Sequence, residues 1–171
     1  MAFEFDLSCP SEVVASVTAS EPLEDLDDYE YLVMQGCRIL SEAGCRFHIA
    51  GFGSNGWGFD VAYDMSSLME QLPELLAGLT SDGRGEVDFY SQGVERTVTF
   101  EQVADSYMVR CHSRTSWAPR PEVEYVEAAV MEGMLAQLAS TFSTALEAAS
   151  SEIAMVEPFR SWRSESWNVK K

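Results

Sequence analysis

Residues 51–79 constrain the fold of this chain more than any other stretch. Phe59, Val61 and Tyr63 alternate with Asp60 and Ala62, the two-residue period of a strand with one buried face. Asp64 follows where a helix N-cap belongs, since its carboxylate can accept the unpaired N–H groups of a first turn. Leu68, Leu72, Leu75, Leu76 and Leu79 then recur at helical spacing and form one apolar stripe. A strand feeding such a helix must lay that stripe on a sheet, so this unit is expected to seed the core. Pro73 lacks the N–H that a helix interior needs, which predicts a kink near Met69 or a second short helix with Pro73 in its first turn.

The flanking segments extend the pattern. Strand-forming residues predict strands over 13–18, 29–40 and 46–51, with Gly36 marking a bulge or turn. Glycines 51, 53 and 56 suit an irregular turn; their spacing does not match a phosphate loop, and no Lys follows them. Residues 86–91, 94–100 and 106–112 alternate and are joined by short links, including Gln92-Gly93, which predicts an antiparallel meander. Arg96 shares its parity with Val94, Val98 and Phe100. Pro121 reads as the first turn of a long helix over 122–149, with Glu122, Glu124 and Glu127 at its positive end. Its buried stripe is Met131, Met134, Leu135, Leu138, Phe142, Ala145, Leu146 and Ala149. Residues 150–171, with Phe159, Trp162 and Trp167, form a C-terminal extension, expected either to pack over the sheet or to fray. The expected fold is one α+β domain over 1–171: an antiparallel sheet of about five or six strands under two main helices, one of them long and near the C-terminus.

Charge narrows the classes of function. The chain carries a net charge of −17. No Lys or Arg precedes Arg38, whereas Glu4, Asp6, Glu12, Glu21, Glu24, Asp25, Asp27, Asp28 and Glu30 are acidic. From Pro158 onward the sign reverses to +3. Such a field repels a phosphate backbone, so direct nucleic-acid binding is disfavoured; it would attract a basic protein partner, or it serves solubility alone. Residues 24–31 join dense negative charge to Tyr29 and Tyr31, a combination that can steer and then anchor a partner. Glu24, Asp25, Asp27, Asp28, Tyr29, Glu30 and Tyr31 are therefore the candidate partner-binding residues, with Trp57 and Trp117 beside flexible turns as secondary ones. A solvated loop is the plain alternative. No apolar run is long enough to span a membrane, and the opening Met-Ala-Phe-Glu-Phe-Asp lacks the regions of a secretion leader, so a cytoplasmic location is expected.

Catalytic and metal chemistry find little support. Cys45 and His48 differ in parity within a strand, as do Cys111 and His112, so neither pair converges on zinc. No feature places Cys111 where its thiol would be activated. Asp60 and Asp64 read as a strand-edge residue and a cap. Cys9, Cys37, Cys45 and Cys111 form no C-x-x-C pair and are expected as free thiols. No catalytic residue, metal site or cofactor is expected.

The layout resembles the immunity proteins of bacterial polymorphic and contact-dependent toxin systems. The resemblance lies in Trp57-x-x-Asp60 in a strand, Leu68, Leu72, Leu75 and Leu76 in the next helix, the meander from Val87 to Cys111, and the long closing helix. It covers residues 31–149 and is one of spacing rather than of a specific motif. It implies a non-enzymatic protein that binds and neutralises a cognate toxin domain, such as a basic nuclease. The other readings are an adaptor or chaperone-like module and a small Cys/His-dependent enzyme. The sequence carries no signal of oligomeric state.

Overall fold

The computed structural model describes residues 2–164. Strand β1 (Glu4–Ser8) pairs antiparallel with β2 (Arg46–Ala50), and helix α1 (Tyr29–Glu42) lies between them in sequence. Helix α2 (Asp64–Ser81) leads into a four-stranded antiparallel meander, β3 (Arg84–Phe89), β4 (Arg96–Val103), β5 (Ser106–Ser113) and β6 (Val123–Glu127). Helix α3 (Ala128–Ala149) follows, then the short helices α4 (Ser151–Ala154) and α5 (Phe159–Trp162). The class is α+β, with antiparallel pairing and a long helix near the C-terminus, as the sequence predicts. The six strands of the described residues divide into sheets of two and four, and α1 adds a third substantial helix.

Helix α1 replaces the strand expected over 29–40. Leu32, Val33, Gly36, Cys37 and Leu40 recur at helical spacing and are buried, and the Asp28 carboxylate accepts the Tyr31 N–H at 3.0 Å. The tyrosines and β-branched residues favour a strand intrinsically, but packing overrides that preference. Gly36 is no bulge: it faces α3, where an added Cβ would lie 3.2 Å from the Phe142 ring. The first strand is not at 13–18 but at β1, which buries Phe5 and Leu7, while Val14 and Val17 are exposed. Residues 59–63 form no strand. Asp60 Oδ1 accepts the N–H groups of Tyr63 at 2.7 Å and Asp64 at 3.2 Å, and Asp64 Oδ2 accepts the Asp60 N–H at 3.0 Å. Asp60 thus supports the start of α2, and Asp64 sits inside the first turn rather than capping it.

The helix expected over 122–149 begins at Ala128. Glu122, Glu124 and Glu127 do not serve its first turn, because Val123–Glu127 pairs with β5 as β6. The apolar stripe holds: Met131, Leu135, Leu138, Phe142, Ala145, Leu146 and Ala149 are buried, and Met134 packs against them half-buried. Phe159 and Trp162 are buried too, so this part of the extension completes the core. Trp167 lies outside the described residues.

Pro73 lies inside one continuous helix, α2. Having no N–H, it leaves the carbonyl of Met69, four residues back, without its helical partner. The Tyr29 hydroxyl donates to that carbonyl at 2.6 Å. The Tyr29 ring stacks on Phe159 at 5.7 Å, so α1, α2 and α5 meet at one residue. Burial pushes the phenol's pKa up, which keeps the hydroxyl a donor. The expectation of four free thiols is corrected: Cys9 and Cys45, beside the Ser8–Arg46 end of the β1–β2 pair, form a disulfide. Cys37 and Cys111 are free and buried.

Two outcomes follow from these joints. Tyr29→Phe should cost about 1–3 kcal/mol by stranding the Met69 carbonyl, and less in a Pro73→Ala background, where the restored N–H can reach it. Urea unfolding of the four proteins measures the coupling; equal losses in both backgrounds would contradict it. Removing the cross-link with Cys9→Ser should lower stability by roughly 4 kcal/mol at most, from chain entropy over the 36-residue separation, read by the same unfolding curves.

Candidate functional site: an acidic face and a clamped arginine

The acidic segment before α1 is ordered by its own hydrogen bonds. Asp25 Oδ1 accepts the Asp27 N–H at 2.9 Å, and the Glu24 N–H donates to the Tyr31 hydroxyl at 3.0 Å. Asp28 supplies the helix cap. Tyr31 is half-buried over the segment and Tyr29 points inward, so neither tyrosine stands free as an anchor. Glu24, Asp25, Asp27, Asp28 and Glu30 remain exposed. Among the described residues, no ion pair involves any of them.

This negative surface continues onto α2. The Tyr90 hydroxyl donates to Glu70 Oε2 at 2.6 Å. Partial burial raises the pKa of the Glu70 carboxyl and the negative charge of Glu30 adds to it, while the Tyr90 hydrogen bond opposes them. The bond to Glu70, with burial, pushes the Tyr90 phenol up to about 12. Partial burial likewise raises the Asp64 carboxyl, with Asp60 adding repulsion. Tyr63 and Tyr90 are 70% and 55% exposed, Tyr63 beside Asp60 and Asp64 and Tyr90 with its hydroxyl bonded to Glu70. The surface thus combines carboxylates that are in no ion pair among the described residues with two exposed aromatic rings. Sequence reasoning named none of Tyr63, Glu70 and Tyr90 as a site residue, and the alternation placed Tyr63 on the buried face with Phe59 and Val61, whereas it is exposed. The signal for Tyr90 was its parity with Asp88, on the outward side of its strand.

Trp57 and Trp117 come together, 5.8 Å between ring centroids, but around an arginine rather than at the acidic segment. The Arg96 guanidinium lies 3.8 Å from the Trp117 ring, 4.6 Å from Trp57 and 5.5 Å from Phe59. Its Nε and Nη1 are buried without hydrogen-bond partners, and desolvation lowers its pKa. Attraction to the ring faces is the compensation the structure provides. Trp57 is buried and belongs to this core, while Trp117 is half-buried above it. Arg96 was legible as an inward position in its strand, but nothing in the sequence showed which rings would cover it.

The glycine-rich turn beside this clamp is closed by protein. Gly51 and Ser54 exchange backbone hydrogen bonds, with Phe52 at φ 55° between them. Buried Glu124 accepts the Phe52 N–H through Oε1 at 2.7 Å, and the Arg120 N–H donates to Phe52 O at 2.9 Å. A Cβ on Gly53 would fall 2.1 Å from the Arg120 carbonyl oxygen, so glycine is needed there for close approach of two loops. Cys45 is held in the disulfide and His48 is exposed beside Glu4 at 3.8 Å. Burial pushes the Cys111 thiol up to about 12, the opposite of an activated nucleophile.

Comparison with protein-family models, curated proteins and solved structures returns no match.

The raised carboxyls give a pH signature. A folded pKa above the unfolded one means the folded state takes up the proton first as pH falls, so the stability contributed by Glu70 and Asp64 rises from neutral pH toward the ordinary carboxylate range. Glu70→Gln should therefore gain on the parent protein at neutral pH, and that gain should vanish toward acid. Urea midpoints at a series of pH values check this; a gain that grows toward acid would contradict it.

Proposed function

We propose that this protein is a non-enzymatic immunity protein that binds and neutralises a cognate bacterial toxin domain of basic character. The observation that carries the reading is the set of acidic groups at residues 24–30, with Glu30 beside Glu70, and at Asp60 beside Asp64. None of these carboxylates is in an ion pair among the described residues, and Tyr63 and Tyr90 are exposed beside them. Like charges held this close destabilise the free protein, and a basic partner relieves the repulsion on binding. The net charge of −17 adds long-range steering, which raises the association rate. A nuclease whose own site accepts a phosphate backbone would meet a surface of the same sign as its substrate. Of the layout that resembles immunity proteins, Trp57–Asp60 is not a strand, and the leucine-striped helix, the meander and the long closing helix are what support the choice of partner class.

The test is charge reversal at exposed positions outside the helix cap. With the toxin domain recovered alongside the protein from its host, Glu24→Lys, Asp25→Lys and Asp27→Lys together should slow association on the order of tenfold or more at low salt. The difference should shrink as salt rises. An association rate unchanged by the triple substitution and indifferent to salt would overturn the reading.

A further inference from the structure

Strand β6 ends the meander, and its register fixes which backbone groups face outward. The Cys111 N–H donates to Glu122 O at 3.0 Å, and the Ala128 N–H donates to Asp105 O at 2.9 Å. These residues, and by alternation Glu124 and Val126, form hydrogen-bonded pairs with β5. Val123 and Tyr125 lie between them and turn their N–H and C=O groups away from β5. Among the described residues, nothing pairs with those outward groups. The opposite edge of the same sheet is treated differently. There α2 packs along β3, and Gln71 donates to Asp88 O and accepts from Asp88 N, both at 2.9 Å. One edge is closed by a side-chain amide and a helix, and the other is open.

The open edge has a definite chemistry. Tyr125 is 62% exposed on the outer face, with Met108 opposite it in β5. Glu122 and Glu127 are exposed at its two ends, and Arg110 is the one cation within the β5–β6 register. A second copy of this chain would bring −17 against −17, which disfavours self-pairing. We propose that the β6 edge takes up an extended, lysine- or arginine-bearing segment of a protein partner as a fifth strand of the sheet. The outward amides and carbonyls of Val123 and Tyr125 hold its main chain. Glu122 and Glu127 favour its cations, and the Tyr125 and Met108 side chains receive its alternate apolar residues. The inference rests on the reading of the chain as a binder of a basic protein, and it names a second contact surface, distinct from the acidic face.

The test reads the backbone directly. The probe is the capped heptapeptide Lys-Val-Lys-Val-Lys-Val-Lys, with its glutamate counterpart as the charge control. The lysine peptide should slow hydrogen exchange at the Val123 and Tyr125 amides on the order of tenfold, and the glutamate peptide should not. Tyr125→Pro removes an N–H that the β5 ladder does not use, so it should abolish peptide binding with little change in melting temperature. A lysine peptide N-methylated at alternate residues serves should that variant fail to fold: it should lose binding to the unaltered protein. Unprotected β6 amides, or equal binding of the N-methylated peptide, would overturn the inference. Peptide-induced shifts confined to residues 24–30 and 60–70 would also overturn it, while leaving the proposed function standing.

Discussion

The hydrogen bond from Tyr29 to the carbonyl of Met69 is the joint on which the helical layer depends. Pro73 withholds the N–H that would satisfy this carbonyl, and an unpaired backbone acceptor in a packed interior is costly. The tyrosine that answers it sits in the first turn of α1 and carries Phe159 on its ring. Phe159 in turn packs on Phe142 of α3, at 6.0 Å between centroids, and Gly36 lets α1 approach that same ring. Turning Tyr29 inward also orients the rest of the first turn. Glu30 and the acids that precede the cap face outward, so the packing requirement and the acidic face come from one choice of helix orientation.

The charges of this protein are handled in two ways. On the surface, Glu30, Asp60, Asp64 and Glu70 are left mutually repelling, and two of these carboxyls are pushed toward their neutral form. In the interior, Arg96 is stripped of water and held against Trp57, Trp117 and Phe59, with Nε and Nη1 unpaired. The interior cation sits where the 51–60 and 113–121 loops meet. The surface anions also serve the fold, since Asp60 and Asp64 hold the backbone at the start of α2 and Glu70 accepts from Tyr90, but none of them is in an ion pair among the described residues.

How much of this was legible in the sequence depended on which period each segment could display. The meander was readable because its strands bury one face, so Val87 and Phe89 alternate cleanly with Asp88 and Tyr90. The buried stripe of α3 was readable because a long helix repeats its period several times. Helix α1 was not, since Tyr29, Tyr31, Val33 and Ile39 carry strand propensity and it is packing against α2 and α3 that selects the helix. Strand β6 was hidden because acidic residues after a proline imitate a helix start. The Cys9–Cys45 bond required the β1–β2 register, which no local pattern reveals. At the functional surface, the acidic segment was plain from charge alone. Tyr63, Tyr90 and Glu70 emerged only when the fold brought α2 and the end of β3 beside it.

Neutralisation is the claim most open to direct measurement. A titration of the toxin domain's own activity against added protein, at concentrations well above the dissociation constant, should fall linearly to zero at one equivalent. A complex that forms at that stoichiometry while the toxin domain keeps its full activity would contradict the claim, and would make this chain an adaptor rather than an inhibitor.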